Sequence, residues 1–240
     1  MSPDLTVLYY TANRIHAAFA EAVRAELVQA VGGRYPILCI SHQPLAFGDA
    51  QITVGAVPCS AWQVYQNILV GARVATTEYI ACAEDDSVYV PAHFDVRPDP
   101  DVFGYNRHRW VLTRRLSSDG TRREGIYYFR ERTQMAQCIA RRSLMIEALE
   151  ERFRRVPDPL PDSTLFKMGW GEPGRYEKNL GLAPRTRVYF ETAEPNVTIN
   201  HVASLRGRRR LNATDVIQDV LPQWGHATDL WARLYGDGPA

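Results

Sequence analysis

The sequence predicts an α/β fold whose first half is a parallel sheet and whose second half is mixed. Residues 1–95 alternate short apolar runs with stretches in which apolar residues recur at helical spacing. Residues 96–240 contain shorter strand-like runs and fewer helical ones. With 45% hydrophobic and 23% charged residues, 240 residues are enough to bury one large core. We therefore expect one domain over residues 1–240, divided into halves at residue 95.

The first three elements follow from local pattern. "LTVLYYT" (5–11) is β-branched and aromatic, which is typical of a buried strand. "RIHAAFAEAVRAELVQAVGG" (14–33) has helical spacing and ends in glycine, which favours a helix with a left-handed C-cap. "RYPILCISH" (34–42) predicts a second strand.

A second helix and a third strand follow a loop rich in glycine, proline and glutamine. "SAWQVYQNILVGARVA" (60–75) is helical in pattern, and Ser60 and Gln63 have the spacing of a capping box. "TEYIACA" (77–83) predicts the third strand. Strands that alternate with helices pair in parallel through right-handed crossovers, with helices on both faces of the sheet.

The second half has a different character. A helix is predicted for "RSLMIEALEERFRR" (142–155) and another for "ATDLWARLYG" (227–236), and "SSDG" (117–120) predicts a turn between two strands. The strands predicted here are "DVFGYN" (101–106), "RWVLTRRL" (109–116), "GIYYFRER" (125–132), "QMAQCIA" (134–140), "RVYFET" (187–192) and "NVTIN" (196–200).

Composition and charge exclude several functional classes. The net charge of +1 provides no general attraction to nucleic acid or membrane. No apolar stretch approaches the roughly 20 residues that span a bilayer, and "MSPDLTVLYYT" lacks the pattern of a signal peptide. Cys39, Cys59, Cys82 and Cys138 form no C-x-x-C pair, so we expect reduced thiols in a cytoplasmic protein without a membrane partner.

Three adjacent carboxylates, Glu84, Asp85 and Asp86, stand where the third strand ends, within "YIACAEDDSVYVPAHF" (79–94). Ligands of open α/β sheets bind beyond the carboxyl ends of the strands. Neighbouring carboxylates raise one another's pKa unless a cation or hydrogen bonds compensate. Mn²⁺ and Mg²⁺ prefer such oxygens, so one of them is the predicted cofactor. The alternative is an acidic turn with one residue capping a helix.

The sequence also resembles glycosyltransferases of the GT-A fold. "EDD" (84–86) matches their D-x-D position, with glutamate first, and the helix in "SAWQVYQNILVGARVATTEYI" (60–80) resembles the one before that motif. "YYTAN" (9–13), "QMAQCIARRSLMIEAL" (134–149) and "NVTINHVASLRGRR" (196–209) resemble later landmarks of the family. The resemblance implies transfer of a sugar from a nucleoside diphosphate sugar, most simply a UDP-sugar, to an acceptor hydroxyl.

The same resemblance assigns roles at the predicted metal site. Asp86 should coordinate the cation directly and support catalysis. Glu84 would contact the ribose, or the cation through water, and Asp85 would lie beside the nucleotide. His201 is the candidate third ligand; the alternative for it is a hydrogen-bonded histidine at a strand end.

Further candidates concern the nucleotide. Thr11 and Asn13 would contact the base or ribose. Arg73, Arg206 and Arg208 are candidate partners of the diphosphate, because guanidinium groups pair bidentately with phosphate oxygens. For each arginine the alternative is a solvated surface charge.

"GWGEPGRYE" (169–177) resembles the segment in which inverting family members carry their general base. Glu172 is the candidate base, with Glu177 and Asp162 behind it. The family often carries two adjacent acidic residues there, and Pro173 occupies the second place, so Glu172 as an acceptor ligand or a helix cap stays open.

Two other functions remain as alternatives. A metal-dependent nucleotidyltransferase would want a basic, glycine-rich loop after the first strand, which "YYTANRIHAAF" (9–19) does not provide. A nucleic-acid-binding module would use "RGRRR" (206–210). The ideas combine if the acceptor is DNA carrying a modified base, with aromatic residues lining its groove: Tyr105, Trp110, Tyr127, Tyr128 and Trp170.

Overall fold

The structure, a computed structural model, describes residues 3–116, 123–201, 203 and 211–236. The helices are α1 (Ala17–Val31), α2 (Ala61–Val74), α3 (Arg142–Arg155), α4 (Asp162–Lys167), α5 (Glu177–Leu180) and α6 (Ala227–Tyr235). The strands are β1 (Leu5–Thr11), β2 (Ile37–Ser41), β3 (Ala50–Thr53), β4 (Tyr79–Glu84), β5 (Ser87–Val88), β6 (Val102–Asn106), β7 (Arg109–Leu116), β8 (Arg123–Phe129), β9 (Cys138–Arg141), β10 (Thr186–Phe190), β11 (Asn196–Ile199), β12 (Val216–Gln218), β13 (Val220–Leu221) and β14 (Gly225–His226).

A seven-stranded sheet runs through the molecule in the order β10-β6-β9-β4-β1-β2-β3. The strands β3, β2, β1 and β4 are all parallel, which confirms the predicted first half. Strand β9 is antiparallel to β4 and β6, and β10 is parallel to β6, so the second half is mixed, as predicted. The α/β fold class is thereby confirmed, while the division at residue 95 stays a prediction.

Helices cover both faces of the parallel strands. In β1, Leu8 and Tyr10 pack with residues of α2 and α3, whereas Val7 and Tyr9 pack in the cluster that contains Leu27 of α1. Successive side chains of a strand point to opposite faces, so both faces of this sheet are buried. That burial explains why β1 reads as a continuous apolar run.

A second sheet, in the order β12-β8-β7-β11-β5, packs against α1 and α6. Its core includes Trp110 and Tyr127, together with Trp231 of α6 and Phe19 of α1. Strand β5 belongs to this sheet although β4, only three residues earlier in the chain, belongs to the first. The predicted acidic turn therefore crosses from one sheet to the other.

Three local predictions need correction. Strand β3 was expected to be loop; it is an exposed edge strand with little apolar patterning. The segment "QMAQCIA" begins with a 3₁₀ turn at Met135–Gln137, and β9 starts only at Cys138. Ser60 Oγ accepts from the Gln63 amide at 3.1 Å, but the Gln63 side chain turns to Asn67, so half of the capping box forms. The predicted turn at 117–120 lies outside the described residues.

The cysteines are free thiols, and Cys39, Cys82 and Cys138 are buried, while Cys59 is partly exposed. Burial raises the pKa of the Cys39 thiol to about 11, which favours the unreactive thiol form. Within the described ranges, no helix has both the length and the apolar character needed to cross a membrane.

Candidate active site

The acidic turn lies beside the carboxyl end of β1. Glu84 is the last residue of β4 and stands opposite Tyr10 of β1 in the parallel pairing. Asp85 and Asp86 follow, and β5 begins directly after them at Ser87. A cavity of about 350 Å³ opens at this edge, and its walls come from both halves of the chain. The position matches the ligand site expected of an α/β sheet.

Each carboxylate of the turn accepts a hydrogen bond from a neighbouring hydroxyl group. Tyr10 Oη donates to Glu84 Oε1 at 2.8 Å, and Thr11 Oγ1 donates to Asp85. Ser87 Oγ donates to Asp86 Oδ1 at 3.1 Å. These contacts fix the turn between the two sheets. They compensate only part of the negative charge of three adjacent carboxylates.

Burial and the uncompensated charge raise the pKa of two of these carboxyl groups. Burial, followed by the charge of Asp86, raises the pKa of Glu84 to about 8, although the Tyr10 hydrogen bond opposes the shift. Burial and the Asp86 charge also raise the pKa of Asp85 to about 6, against the hydrogen bond from Thr11. A bound cation would relieve both shifts because it favours the ionised forms.

His201 lies directly against the acidic turn. Its Nε2 is 3.3 Å from Asp86 Oδ2, and its side chain is 8% exposed. Burial lowers the pKa of His201, but the hydrogen bond to Asp86 and the negative charges of Asp86 and Asp85 outweigh it, so the net pKa is raised. We refer to Glu84, Asp85, Asp86 and His201 together as the acidic end of the cavity.

The acidic end fits a divalent cation held by two protein ligands. In the part of the chain that the structure describes, no group of three or more His, Cys, Asp or Glu side chains is arranged to hold a metal ion. Asp86 and His201 do meet, at 3.3 Å, while Glu84 is hydrogen-bonded to Tyr10. Adjacent ligands of an octahedral Mg²⁺ are about 3 Å apart, and substrate phosphates and waters usually complete the shell. Imidazole is a better ligand for Mn²⁺ than for Mg²⁺.

Glu172 reaches the same cavity from the loop between α4 and α5. Gly169 turns this loop with φ 80°, a conformation that favours glycine. Trp170, 3% exposed, anchors the loop by an edge-to-face contact with Tyr65, with ring centroids 5.8 Å apart. The Glu172 side chain is 19% exposed, and Arg175 Nη1 lies 3.8 Å from its Oε2. Its role as a base stays a prediction.

The two acidic residues placed behind Glu172 have structural partners instead. Glu177 is buried, pairs with Arg152, and accepts from the Gly174 amide at 2.7 Å. Asp162 Oδ1 accepts from the Ala61 amide at 2.8 Å and so caps the first turn of α2.

Thr11 ends β1 at the cavity, and the loop after it holds Asn13 in an unusual conformation. Thr11 lines the cavity and accepts from the Asn13 amide at 2.9 Å. Asn13 has φ 54°, and its Oδ1 accepts from the Gln43 amide at 2.9 Å. A left-handed conformation held by side-chain bonds is frequent at ligand sites. The nucleotide contacts predicted for both residues stay predictions.

The predicted diphosphate arginines are not brought together at the acidic end. Arg73 lies on the outer side of α2, where its guanidinium pairs with Glu150 at 2.8 Å and both side chains are exposed. This is the surface role that formed the alternative for Arg73. Arg206 and Arg208 lie outside the described residues.

Five other arginines line the cavity, and sequence reasoning missed all of them: Arg14, Arg109, Arg130, Arg132 and Arg175. Apart from Arg130 and Arg132, they come from segments far apart in sequence, so no motif joins all five. The one available signal was the alternation in "FRER" (129–132), which places two arginines on one side of an extended chain.

A polar cluster at the carboxyl end of β2 was also missed. His42 Nε2 lies 3.2 Å from Asn67 Nδ2, and Gln63 Nε2 donates to Asn67 Oδ1 at 2.8 Å. Burial lowers the pKa of His42. These three residues line the cavity and supply donors and acceptors for a planar polar ligand such as a base.

The predicted aromatic groove forms in part. Tyr128 and Trp170 line the cavity, whereas Tyr105, Trp110 and Tyr127 pack inside the two cores. Packing within short strands is the commoner fate of aromatic residues.

Comparison with solved structures gives distant likenesses. Neither a protein-family model nor a curated protein sequence matches the chain. The structure is similar to a glycosyltransferase involved in the glycosylation of the major capsid of PBCV-1, with 8% identity over 79% of this chain and 82% of that chain and a TM-score of 0.43.

Two further solved structures have the same level of similarity. The glycosyltransferase GlyE of Streptococcus pneumoniae TIGR4 shares 8% identity, with coverages of 77% and 45% and a TM-score of 0.40. A nucleotidyl transferase from Methanothermobacter thermautotroptrophicus shares 14% identity, with coverages of 61% and 75% and a TM-score of 0.38. At these scores the likenesses carry no inference about activity, which has to come from the site.

Proposed function

We propose that the chain is a metal-dependent glycosyltransferase that moves a sugar from a nucleoside diphosphate sugar, most simply a UDP-sugar, to an acceptor hydroxyl. One observation carries the proposal: Asp86 and His201 meet at 3.3 Å in a cavity that Glu172 also lines. The cavity, about 350 Å³, has the size of a small-molecule site.

Asp86 and His201 are the residues that would hold Mn²⁺ or Mg²⁺. Ser87 orients Asp86 through its hydrogen bond of 3.1 Å. A divalent ion at this point supplies a Lewis acid that neutralises the charge developing on the leaving diphosphate.

The residues around this pair would position the nucleotide. Thr11, held to Asp85, would contact the ribose from the end of β1. Glu84, whose Oε1 accepts from Tyr10, would accept from a ribose hydroxyl through its second carboxylate oxygen. Arg14 lines the cavity mouth, and its charge acts to lower the pKa of His201, so it lies near the acidic end. We assign to Arg14 the diphosphate contact that the sequence assigned to other arginines.

Glu172 would act on the acceptor. It reaches the cavity from a different element than the acidic turn, so a donor at the acidic end and an acceptor beside Glu172 can face each other. If Glu172 takes the proton of the acceptor hydroxyl, the hydroxyl attacks the sugar carbon opposite the leaving diphosphate, and the configuration inverts.

The test is hydrolysis of nucleotide sugars with Mn²⁺ present, comparing wild type with Asp86→Ala. We expect slow release of nucleoside diphosphate by wild type and none by the variant. UDP with Mn²⁺ should also raise the melting temperature of wild type alone. Asp95→Ala, a surface change away from the cavity, is the control.

Two results would replace the proposal. Equal turnover by wild type and Asp86→Ala would remove the proposed metal role. Release of pyrophosphate from a nucleoside triphosphate would identify a nucleotidyltransferase, for which Arg14 supplies a basic residue after β1.

A further inference from the structure

The cavity has a second charged end, made by Arg109, Arg130 and Arg132, which we call the arginine end. We propose that it binds a phosphate group carried by the acceptor. Naming the ligand an acceptor rests on the proposed function; the phosphate site itself does not.

Strand pairing brings the backbones of the first two arginines together. The register of β7 and β8 pairs Trp110 with Phe129, so Arg109 and Arg130 stand next to this pair on opposing strands. Arg109 Nη2 donates to the Arg130 carbonyl at 3.2 Å, and Arg109 is only 2% exposed. Like charges at opposed positions destabilise a sheet. Asp215 offsets this cost from the Arg130 side.

The extended segment after β8 adds the third arginine. Arg130 and Arg132 line the cavity, whereas Glu131 between them lies 3.7 Å from Arg107 on the surface. This alternation separates Glu131 from the two arginines, so the Glu131 carboxylate points away from the cavity.

The arginines of this end differ in whether an acidic residue balances their positive charge. Asp215 accepts from both Nε and Nη2 of Arg130, which fixes its guanidinium plane. Arg132 lines the cavity and, among the described residues, has no acidic partner. We therefore assign the phosphate oxygens to the planar donor fork of Arg132, beside the buried positive charge of Arg109.

The arginine end is separate from the acidic end. Ser87 of β5, Thr198 of β11, Val111 of β7 and Tyr128 of β8 lie side by side across the second sheet. The backbones of Ser87 and Tyr128 are therefore three strand spacings apart, a distance of about 14 Å. Asp86 adjoins Ser87, and Arg130 follows Tyr128 by two residues. This backbone spacing is longer than one diphosphate group, so we assign a phosphate at Arg132 to another part of the ligands.

The test is binding of inorganic phosphate to the full chain in EDTA, at constant ionic strength, measured by calorimetry. EDTA keeps metal-bound phosphate out of the acidic end. We expect wild type to bind phosphate in the millimolar range, and Arg132→Gln to bind it about tenfold more weakly, since a hydrogen bond to a charged group is worth about that factor.

The matched control is Arg107→Gln, the same change on an arginine outside the cavity that pairs with Glu191. It should leave the affinity within about twofold of wild type, since exposed ion pairs contribute little. Arg132→Lys keeps the charge and loses the fork, so its affinity should fall between those of wild type and Arg132→Gln. Circular dichroism of each variant checks the fold.

Two ligands distinguish the source of the phosphate. Glucose 6-phosphate carries a phosphomonoester, and the dinucleotide d(TpT) carries the phosphodiester of a DNA acceptor. Whichever binds more tightly than inorganic phosphate, with the advantage lost in Arg132→Gln, identifies the acceptor class. Equal binding of inorganic phosphate by wild type, Arg132→Gln and Arg107→Gln overturns the proposal, and so does an equal loss in both variants.

The two proposals fail separately. Arg132→Gln should retain Mn²⁺-dependent UDP binding within about twofold, since it lies outside the acidic end. If wild type and Arg132→Gln bind inorganic phosphate equally while UDP binding is intact, only the arginine site is removed. If Arg132→Gln binds phosphate more weakly than wild type but Asp86→Ala leaves donor hydrolysis unchanged, only the glycosyltransferase proposal is removed.

Discussion

At the acidic end of the cavity, carboxylates are held by hydroxyl groups, whereas at the arginine end a carboxylate holds a guanidinium. Tyr10 and Thr11 bind two acids of the turn, and Asp215 binds Arg130. Hydroxyl groups carry no charge, so the acids remain short of positive charge. At the arginine end, Asp215 balances Arg130, while Arg132 has no acidic partner among the described residues. The two proposals would complete the acidic end with a cation and the arginine end with an anion.

The two ends respond to pH in opposite directions. The pKa of Glu84 is raised to about 8 from an ordinary 4.5. The stability that goes with this raised pKa is fully present below pH 4.5 and is lost as the pH rises toward 8, because the unfolded chain ionises first. The pKa of Asp215 is lowered, chiefly by its hydrogen bond to Arg130. Its contribution is therefore present above its ordinary pKa of 3.8 and is lost as the pH falls further.

The largest effect is expected at the acidic end, from His201→Ala. The Mn²⁺ concentration for half-maximal donor hydrolysis should rise by about 100-fold, because losing even an outer-shell partner of a metal ligand costs about 10–100-fold. Mn²⁺ titration of the activity measures it. His16→Ala, an exposed histidine at the start of α1, should change nothing. An unchanged Mn²⁺ requirement in His201→Ala would show that the acidic end does not use this ligand.

Glu172→Gln tests whether the wall opposite the acidic turn carries a base. We expect kcat to fall by about 100-fold with little change in KM, because general-base catalysis contributes 10²–10⁴-fold. Steady-state kinetics with the identified acceptor measures it, with Glu191→Gln on the surface as control. A raised KM at constant kcat would make Glu172 an acceptor ligand instead.

Glu84→Gln sharpens the contrast in pH response. In EDTA, wild type should lose about 3 kcal/mol more stability than the variant between pH 5 and pH 8, because Glu84 stays protonated in the fold while the unfolded chain ionises. Asp85 and His201 add a slope that both proteins share. Urea unfolding across this range measures the difference. Glu78→Gln, an exposed glutamate just before β4, should keep the wild-type slope. Equal slopes in wild type and Glu84→Gln would contradict the role of Glu84.

The smallest effect is expected from Asp215→Asn at the arginine end. Stability at pH 7 should fall by about 1 kcal/mol, since a bidentate but partly accessible ion pair contributes at most that much. The difference from wild type should shrink below pH 3.8, as Asp215 becomes protonated in wild type. Asp219→Asn, exposed nearby, is the control in the same unfolding experiment. A difference that stays constant down to pH 2 would contradict the assignment.

Strong local patterns predicted their elements closely. Helix α3 occupies the residues predicted for it, and β1 does as well, because each has a continuous apolar stripe or run that only one structure buries. Strand β3 and the 3₁₀ turn at Met135–Gln137 were missed, because an exposed edge and a single turn leave almost no apolar pattern. The site residues divide in the same way: the contiguous acidic turn was predicted, whereas the arginines that line the cavity were missed.

The sequence by itself determined that Glu84, Asp85 and Asp86 end a buried strand, because apolar run and charges are contiguous there. Only the tertiary structure decided that Glu177 is an internal ion-pair partner of Arg152 while Glu172 faces the cavity. It alone placed Arg109 and Arg132 in the wall of one cavity, since sheet pairing and chain direction bring together side chains that no sequence pattern relates. Charge spacing along a chain is local, whereas the partner of each charge is chosen by the fold.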